Sequence, residues 1–559
     1  MKRIFSNTVF ALVVGLGLRL FFVLELPTNS GDTVFYEQIA TNWLRHHVFA
    51  MNVQGAVTPV DMRMPGYPGF LALIYVLTGR GGESARQRVM LAQIVVDLLG
   101  CLVIARLAKI LACASENEAR SGKAYTVALW LAALCPFTAN YTAVPLSEVF
   151  ACLWTGLACC ILAVALGRVK KPDFLVSGCH LPLRPHMSPV QLTGSVERAA
   201  LGAGLVAGVG ALFRPETPIL LIAAAVVFAA LLFRLHEFVR WFWVTGAMLI
   251  GCLVVLSPWA LRNLRTFGEV QFLNPKYSTL PGEIVPYGFM AWEKTWLYRV
   301  RDCYLVPWKL NDEAINVHDI PARAFDSREE KQRVADILEQ YNEDLTLTKE
   351  EDDAFGKIAR ERVRRHPLRI FVWIPVARAV VIWFSPRIEL LPISGDVFPL
   401  AQKFDEDPAD QGFTVLLFFL NLVYLSLGVW GAVKLWLSRD RQTPDWRSSE
   451  ARSTEDPDAP TVDPGAARVL QGSGVPGIAN RRIGIVDPAS AAVRPIVAFF
   501  LLFFLLRTAF LTTLETPEPR YVLECFPALI ALAAQLFSSK PASLTRDAPI
   551  FHRSVRGES

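Results

Sequence analysis

Long apolar segments, each about long enough to cross a membrane, recur along this chain of 559 residues. A helix needs about 20 apolar residues to cross the ~30 Å hydrocarbon layer of a bilayer. The first segment occupies residues 8–26, directly after Met-Lys-Arg, and others lie at 89–111, 241–260 and 413–437. Hydrophobic residues make up 53% of the chain and charged residues only 19%. The sequence therefore predicts an all-α polytopic membrane protein with about 10–12 transmembrane helices.

Positive charge in the short loops predicts the orientation, because loops that carry Lys and Arg stay on the cytoplasmic side. Lys2 and Arg3 place the N-terminus inside, so the first segment delivers the loop at 27–88 to the outer side. A basic stretch at 168–198 predicts a cytoplasmic loop, and both chain ends are expected inside. The protein is thus expected in the cell (inner) membrane, with its functional site on the periplasmic or extracytoplasmic side.

Composition divides the chain into membrane parts and polar parts. The external segment at 274–411 is expected to contain soluble and interfacial helices, with 368–384 lying on the outer surface. The stretch at 438–494 is rich in Arg, Asp, Pro, Ser and Gly, which predicts a flexible cytoplasmic linker. The predicted order is an N-terminal transmembrane module at 1–273 with its external loop at 27–88, the external segment at 274–411, a transmembrane helix at 412–437, the linker at 438–494, a C-terminal transmembrane hairpin at 495–537 and a cytoplasmic tail at 538–559.

Several classes of protein are excluded by composition and by absent motifs. The net charge of +5 is spread over the loops, so no nucleic-acid partner is expected. The ten cysteines lie mostly within apolar segments, with no CxxC pair, zinc spacing or disulfide framework. The sequence contains no Walker A motif, no HExxH and no GxGxxG at a helix start, which argues against a soluble ATP or nucleotide-sugar site.

The loop after the first apolar segment carries a helical pattern. Apolar and aromatic residues recur there at helical spacing: Tyr36, Ile39, Ala40, Trp43, Leu44 and His47. The polar residues that fall on the other side are Glu37, Thr41 and Arg45. This pattern predicts an interfacial helix that begins at Asp32. Asp32 is either a simple helix cap or a functional carboxylate, and helix chemistry alone leaves both interpretations open.

Ionisable residues gather at the outer ends of the predicted segments: Asp32, Asp61, Arg63, Glu148, Arg214, Glu216, Arg262 and Arg520. Charges at such depth are costly unless they are paired or line a wet cavity, so each is a candidate site residue. For any single one, snorkelling or a structural ion pair is the commoner explanation. Together, several arginines suit a pyrophosphate or phosphodiester, because a guanidinium binds phosphate oxygens through two parallel hydrogen bonds. A carboxylate among them suits a base that takes a proton from a hydroxyl.

Six short motifs occur in order across the membrane region: GDxxxYxxIAxxWL at 31–44, RxPGYPxFLAL at 63–73, PLSEVF at 145–150, FRPE at 213–216, PWALRN at 258–263 and EPRYVLECFPAL at 518–529. In these motifs the chain resembles membrane glycosyltransferases of the GT-C fold that use polyprenyl-phosphate sugars. That group, of glycosyltransferase family 39/83 type, contains the protein O-mannosyltransferases and the lipid A aminoarabinose transferases. The stretches at 274–365 and 438–494 carry no part of the resemblance.

The resemblance implies roles for the matching residues. Asp32, the acidic residue of the first outer loop, would assist attack by the acceptor, and Arg63 and Arg520 would hold the lipid phosphate. Glu148 falls where some GT-C enzymes carry a second acidic group that binds metal or orients the substrate. A divalent metal is therefore left open as a cofactor. The other residues expected to bind substrate are Asp61, Tyr67, Arg214, Arg262 and Tyr521.

One departure from the family pattern concerns the second motif. The aminoarabinose transferases carry an acidic–basic pair followed by two prolines, whereas residues 61–66 of this chain read DMRMPG. The resemblance therefore does not name the sugar. The first outer loop contains no DxD motif, so a need for metal is not implied either.

The leading hypothesis is an inverting hexosyl- or pentosyltransferase that moves a sugar from a polyprenyl-phosphate donor to a lipid, glycan or protein acceptor at the membrane surface. The phosphate leaves already charged and is stabilised by arginines, so one carboxylate base suffices. The alternative is a transporter or flippase for a lipid-linked or anionic solute, which also needs paired charges within a helical bundle. Transporters tend to show internal repeats, and none is found in this sequence.

Overall fold

The computed structural model describes residues 2–115, 118–170, 189–275, 277, 283–386, 390–393, 395, 397–437 and 490–537. Within these residues the secondary structure is almost entirely helical, with a single two-stranded antiparallel sheet. Residues 438–489 of the predicted linker at 438–494 are outside the described residues, and so is the whole predicted tail at 538–559. The chain is an all-α polytopic membrane protein.

The N-terminal half contains ten helices and the hairpin within its described residues. In chain order they are α1 (Lys2–Glu25), α2 (Gly31–His46), β1 (Ala50–Val53), β2 (Ala56–Pro59), α3 (Gly66–Thr78), α4 (Arg86–Ala114), α5 (Glu118–Ala133), α6 (Pro136–Ala139), α7 (Glu148–Lys170), α8 (Pro189–Ala211), α9 (Ile219–Arg234) and α10 (Phe238–Phe267).

The second half continues with short and long helices. They are α11 (Tyr287–Glu293), α12 (Arg301–Leu305), α13 (Arg328–Asp344), α14 (Lys349–Arg365), α15 (Ile374–Phe384), α16 (Leu400–Glu406), α17 (Pro408–Leu437), α18 (Ser490–Leu511) and α19 (Phe526–Ala533). A 3-10 helix at Pro519–Cys525 leads into α19.

Five of the described helices are long and apolar enough to cross a membrane: Ser6–Glu25, Glu148–Val169, Phe238–Phe267, Pro408–Leu437 and Ala492–Leu511. A sixth results if α14 and the helix at Arg369–Phe384, bent by 99° where they meet, count as one span. Two shorter apolar helices lie at Gly66–Thr78 and Ile219–Arg234. This count is smaller than the predicted 10–12 crossings, which stay a prediction.

Helix α2 confirms the helix predicted from Asp32, but one of its faces was assigned wrongly. Glu37, expected on the polar side, is buried and accepts two hydrogen bonds from Arg86, at 2.7 and 2.9 Å. The sequence pattern could not show that Arg86, far along the chain, would make Glu37 an internal residue.

A β-hairpin follows α2 and was not predicted. Ala50 pairs with Pro59 and Val53 with Ala56, so the two strands are joined by Gln54 and Gly55. Both of these residues have positive φ, at 49° and 83°, as two-residue hairpin turns require. The strands are too short to give a clear alternation in the sequence, so the turn residues were the available signal.

Helices α8 and α10 pack closely against each other in the bundle. Gly204 and Gly251 face each other's helix backbone: a Cβ at Gly204 would lie 2.1 Å from the carbonyl oxygen of Met248, and one at Gly251 would lie 2.5 Å from that of Leu201. Small residues at such crossings let helices approach closely in lipid, where packing rather than water exclusion drives association. The Gly/Ala-rich composition of α8 thus serves contact with α10.

The segment between α10 and α15 forms a second unit with its own core. Buried aromatic residues fill it, including Trp292, Trp296, Tyr341 and Phe355. Helix α14 begins with a capping box, in which the Thr348 N–H donates to Glu351 and the Glu351 N–H donates to the Thr348 hydroxyl. The predicted capped helices at 312–365 are confirmed by α13 and α14, whereas their solubility stays a prediction.

Arg378, in the middle of α15, joins this second unit to the membrane bundle. Its guanidinium donates to the carbonyl of Leu297 at 2.7 Å and to those of Thr512 and Leu514 at 3.2 and 2.6 Å. Lys294 and Glu515 make a further ion pair between the same two parts, at 2.6 Å. The loop that leads to Arg520 is therefore attached directly to this second unit.

Replacing Gly251 by Ala is expected to destabilise the protein by about 1–3 kcal/mol, because the new Cβ overlaps the Leu201 carbonyl and forces α8 and α10 apart. Gly246→Ala, on the same helix, is the matched control, since no atom lies within 4 Å of its added Cβ. Ala favours a helix over Gly by about 1 kcal/mol, so the control should be neutral or more stable. Thermal unfolding in detergent compares the two, and equal melting temperatures would contradict the close helix contact.

Candidate functional site

Asp32 lies in the first turn of α2 but is not the residue that caps it. Ser30 occupies the N-cap position, and its N–H donates to the Thr33 hydroxyl at 3.1 Å. The Asp32 carboxylate instead accepts one hydrogen bond on each oxygen: from Arg63 Nη2 at 2.6 Å and from Arg520 Nη2 at 3.0 Å. Of the two sequence-based interpretations, the simple cap is therefore the one that the geometry disfavours.

Arg63 reaches Asp32 from the segment between the hairpin and α3. Its Nη1 donates to the carbonyl of Met62 at 3.1 Å, and its guanidinium lies 5.6 Å from the centre of the Phe35 ring. The following turn is fixed at Gly66, whose N–H donates to the Leu212 carbonyl at 2.7 Å. A Cβ at Gly66 would lie 2.6 Å from that same oxygen. The glycine of the PGYP motif is thus needed for the close approach that positions Arg63.

Arg520 comes from the 3-10 helix at the other end of the chain. Besides Asp32 it contacts Glu518 at 2.6 Å and, through Nη1, Glu148 Oε1 at 3.5 Å. Its guanidinium lies 5.3 Å from the ring of Tyr521, and that of Arg214 lies 4.8 Å from the same ring. The Tyr521 hydroxyl donates to Glu518. Arg520 therefore joins the carboxylates of Asp32, Glu148 and Glu518.

Behind Arg520 lies a network of buried charges from α7, α18, the 3-10 helix and the turn between α8 and α9. Arg214 Nη2 donates to Glu148 Oε1 at 3.3 Å, and Arg214 Nε lies 3.7 Å from Glu216 and 3.8 Å from Glu524. Arg507 donates to Glu524 at 2.7 Å and lies 3.5 Å from Glu216. One oxygen of Glu148, Oε2, has no hydrogen-bond partner among the described residues, and its side chain is only 3% exposed. Removing one member of such a buried network typically costs several kcal/mol.

Three of the predicted substrate-binding residues make hydrogen bonds or ion contacts outside this charged network: Arg262, Asp61 and Tyr67. Arg262 donates to the carbonyls of Val60 and Phe49, at 2.9 and 2.8 Å, which holds the base of the hairpin. Asp61 lies near Arg262, and burial raises its pKa. The Tyr67 hydroxyl donates to Gln93 at 2.7 Å. The structure thus brings together Asp32, Arg63, Glu148, Arg214, Glu216, Arg520 and Tyr521, whereas substrate contacts of Arg262, Asp61 and Tyr67 stay predictions.

Three charged members of the cluster were missed in the sequence: Arg507, Glu518 and Glu524. Arg507 is an arginine inside the apolar segment of α18, and an ionisable residue in such a place is a functional-site signal in its own right. Glu518 and Glu524 lie within the EPRYVLECFPAL motif itself. Arg507 lies within the apolar segment and not at its end, where the predicted site residues lie.

The electrostatic state of Asp32 is set by opposing effects. Burial alone would raise its pKa, but the positive charges of Arg63 and Arg520 outweigh burial and lower the pKa to about 2. The side chain is 24% exposed, so one edge of the ion pair remains open to solvent. Asp32 is therefore ionised at every physiological pH, and its solvent-exposed edge lies beside Arg63, whose side chain is 28% exposed, whereas that of Arg520 is 10% exposed.

The described parts of the chain contain no group of three or more His, Cys, Asp or Glu side chains that could hold a metal ion. A divalent metal as cofactor stays open.

No protein-family model matches the sequence, and no curated protein matches it. Among solved structures, the chain is similar to an archaeal oligosaccharyltransferase, AglB from Archaeoglobus fulgidus, in complex with an inhibitory peptide and a dolichol-phosphate. That match has a TM-score of 0.44 and 13% identity, over 95% of this chain and 50% of the other. The chain thus spans half the length of that protein.

A second match is to an Archaeoglobus fulgidus oligosaccharyltransferase tethered to an acceptor peptide, with a TM-score of 0.30, 12% identity, and coverage of 79% of this chain and 58% of the other. Similarity of this extent is too weak to assign a fold or an activity.

The lowered pKa of Asp32 predicts a specific dependence of stability on pH. A carboxylate whose pKa is lower in the folded protein stabilises it fully above its ordinary pKa, and this contribution disappears as the pH falls through the folded value. At neutral pH the parent should exceed Asp32→Asn in unfolding free energy by roughly 2 kcal/mol. The difference should shrink between about pH 4 and pH 2.

Unfolding measured in detergent across this range tests the prediction. Asp61→Asn is the control of opposite sign, because burial raises the pKa of Asp61 and the parent should lose stability relative to it as the pH rises. A pH-independent difference between the parent and Asp32→Asn would contradict the two-arginine ion pair.

Proposed function

We propose that the protein is an integral membrane glycosyltransferase of the GT-C type. It transfers a sugar, with inversion, from a polyprenyl-phosphate donor to a lipid, glycan or protein acceptor on the outer face of the cytoplasmic membrane. The observation that carries the proposal is the carboxylate of Asp32, held between Arg63 at 2.6 Å and Arg520 at 3.0 Å and open to solvent on one edge. The six sequence motifs, of which three supply these residues, support the same class.

The two guanidiniums are suited to the donor phosphate. Each presents several N–H groups in a plane and binds phosphate oxygens as a fork, with charge-assisted hydrogen bonds. In the sugar-transfer step the bond from the anomeric carbon to the phosphate oxygen breaks, and the phosphate keeps the electron pair. Arg63 and Arg520 stabilise the charge that develops on that oxygen, so no acid is needed to protonate the leaving group.

Asp32 is assigned as the base. As the acceptor oxygen attacks the anomeric carbon, an Asp32 oxygen takes the hydroxyl proton, so the proton ends on the carboxylate and the sugar on the acceptor. A carboxylate with a pKa of about 2 is a weak base while both arginines bind it. When the arginines bind the phosphate instead, Asp32 loses these partners and becomes a stronger base. Donor binding therefore precedes proton removal.

Remaining parts of the proposal concern binding and position. Glu148 and Arg214 support Arg520 from behind, and Tyr521 presents its ring to both arginines. Asp61, Tyr67 and Arg262 are proposed to line the adjoining surface for substrate. The membrane lipid, the donor and the acceptor are the proposed partners, and the external segment at 274–411 lies close enough to the Arg520 loop to contact the acceptor.

The proposed orientation places Asp32 and Arg520 on the outer side and the segment at 438–494 inside. Ser30→Cys and Thr516→Cys should react with a membrane-impermeant maleimide in intact cells, above the background of the parent, and Pro460→Cys should react only after permeabilisation. The positive charge of the cytoplasmic loops is the physical reason. Labelling at position 460 but not at 30 in intact cells would reverse the orientation.

The decisive experiment incubates purified protein with a panel of radiolabelled polyprenyl-phosphate sugars and measures donor binding and transfer separately. Asp32→Asn should bind the donor yet transfer on the order of 10²-fold more slowly, the usual scale for loss of a general base. Arg63→Lys and Arg520→Lys keep the charge but lose the fork, so they should bind the donor about tenfold more weakly or worse.

Arg333→Lys is the control, since Arg333 pairs with Glu361 on the exposed surface of the second unit. It should behave as the parent. Near-normal transfer by folded Asp32→Asn would remove Asp32 as the base. Movement of a lipid-linked solute across vesicles, without transfer, would favour a transporter instead.

A further inference from the structure

Arg507 is a fully buried arginine in the interior of the apolar helix α18. A charge in such a segment is costly unless its donors are bound by protein acceptors. Its Nε and Nη2 both donate to the carbonyl oxygen of Tyr521, at 2.9 and 2.8 Å, and Nη2 also donates to Glu524 at 2.7 Å. The guanidinium thus holds one backbone oxygen with two N–H groups and a carboxylate with one of them.

The backbone held in this way carries Arg520, the residue directly before Tyr521. It belongs to a 3-10 helix, whose hydrogen bonds have poorer geometry than those of an α-helix. The N–H of Tyr521 donates to the Glu518 carbonyl at 3.2 Å, which is at the long end of the range for a backbone hydrogen bond. Arg507 adds two hydrogen bonds from a packed membrane helix, and Arg520 extends from that turn to Asp32.

We propose that Arg507 is a positioning residue, which fixes the Tyr521 carbonyl and thereby holds the Arg520 guanidinium against Asp32. Its effect on donor binding rests on the proposed function, whereas its effect on the Asp32–Arg520 contact does not. The contacts explain why this residue is an arginine. Its planar guanidinium donates twice to the Tyr521 carbonyl and once to Glu524, whereas a lysine has a single nitrogen and could not make all three hydrogen bonds in this geometry.

The charged and titratable groups around Asp32 make the contact measurable. Arg63 faces it from the segment before α3, Arg520 from the 3-10 helix, and Tyr36 from its own helix, while Glu148 lies beyond Arg520. If the turn loosens, Asp32 keeps Arg63 but loses Arg520. The protonation midpoint of Asp32 then moves to higher pH, because one of the two cations that stabilise its charged form has withdrawn.

Arg19 provides a matched control. It is also fully buried in an apolar helix, where it donates to Asp97 at 2.6 Å and to the carbonyls of Gly15 and Ala133 at 2.9 and 2.8 Å. It also contacts Cys101 and the carbonyl of Ala132, and none of these partners belongs to the Asp32 cluster. Arg19→Lys therefore makes the same chemical change in a similar environment, away from the site.

The experiment uses the full chain in detergent and compares Arg507→Lys with Arg19→Lys. Infrared difference spectroscopy, with Asp32→Asn to identify the band, follows protonation of the Asp32 carboxylate without any need for activity. Arg507→Lys should raise the protonation midpoint by about one pH unit, the change expected when one close cation withdraws. Arg19→Lys should leave the midpoint where it is in the parent.

Transfer kinetics give the second readout. Arg507→Lys should lower kcat/KM for the donor about tenfold, because a displaced Arg520 guanidinium holds the donor phosphate less well and stabilises less of the charge on the departing oxygen. Arg507→Gln, which keeps one N–H for the Tyr521 carbonyl, replaces it if the lysine variant does not fold. An unchanged midpoint in the folded Arg507 variant, or an equal shift in Arg19→Lys, would overturn the proposal. If the midpoint shifts in Arg507→Lys but the parent protein itself transfers no sugar, the positioning role is retained and the proposed function is rejected.

Discussion

The ion pair of Asp32 with Arg63 and Arg520 is the contact that joins the two ends of the chain. Asp32 and Arg520 are 488 positions apart, and 31 positions separate Asp32 from Arg63. Closing a chain over such distances costs conformational entropy, which only a well-packed scaffold can offset. The bundle of α4, α7, α8 and α18 supplies that scaffold, since helix α7 begins at Glu148 and α18 carries Arg507. The site is therefore a product of the whole fold, and no single segment contains it.

The cost of burying charges explains the layered construction of the site. Taking ions out of water is expensive, and their mutual attraction compensates only where geometry and hydrogen bonds are good. Asp32 lies at the solvent edge and keeps part of its contact with water, whereas Glu148, Arg214 and Arg507 are buried. A well-packed apolar core would stabilise the bundle as well. Retention of buried charges behind Arg520 is thus better explained by placement of that guanidinium than by stability.

Much of the architecture was predictable from local sequence patterns. The helix at Asp32 and the capped helices α13 and α14 followed from periodicity and N-terminal caps, and motifs in separate segments brought Asp32, Arg63 and Arg520 into one hypothesis. Glu37 was misassigned because a polar residue on a helix is buried when a distant partner such as Arg86 neutralises it. Such pairing depends on tertiary contacts, which a single sequence does not display.

The same limit applies to Arg507. Its presence in an apolar segment was visible, but its acceptor is a backbone carbonyl, and backbone oxygens leave no trace in the sequence. The role of Gly66 was hidden for the same reason, since the atom that excludes a side chain there is the Leu212 carbonyl.

The composition of the charged cluster has a further consequence, for proton balance. Its guanidiniums belong to Arg63, Arg214, Arg507 and Arg520. Its carboxylates belong to Asp32, Glu148, Glu216, Glu518 and Glu524. The carboxylates thus exceed the guanidiniums by one, and a bound phosphate adds more negative charge to the same small volume. Occupancy by such an anion and uptake of a proton are then thermodynamically linked, so a lower pH at the site tightens anion binding.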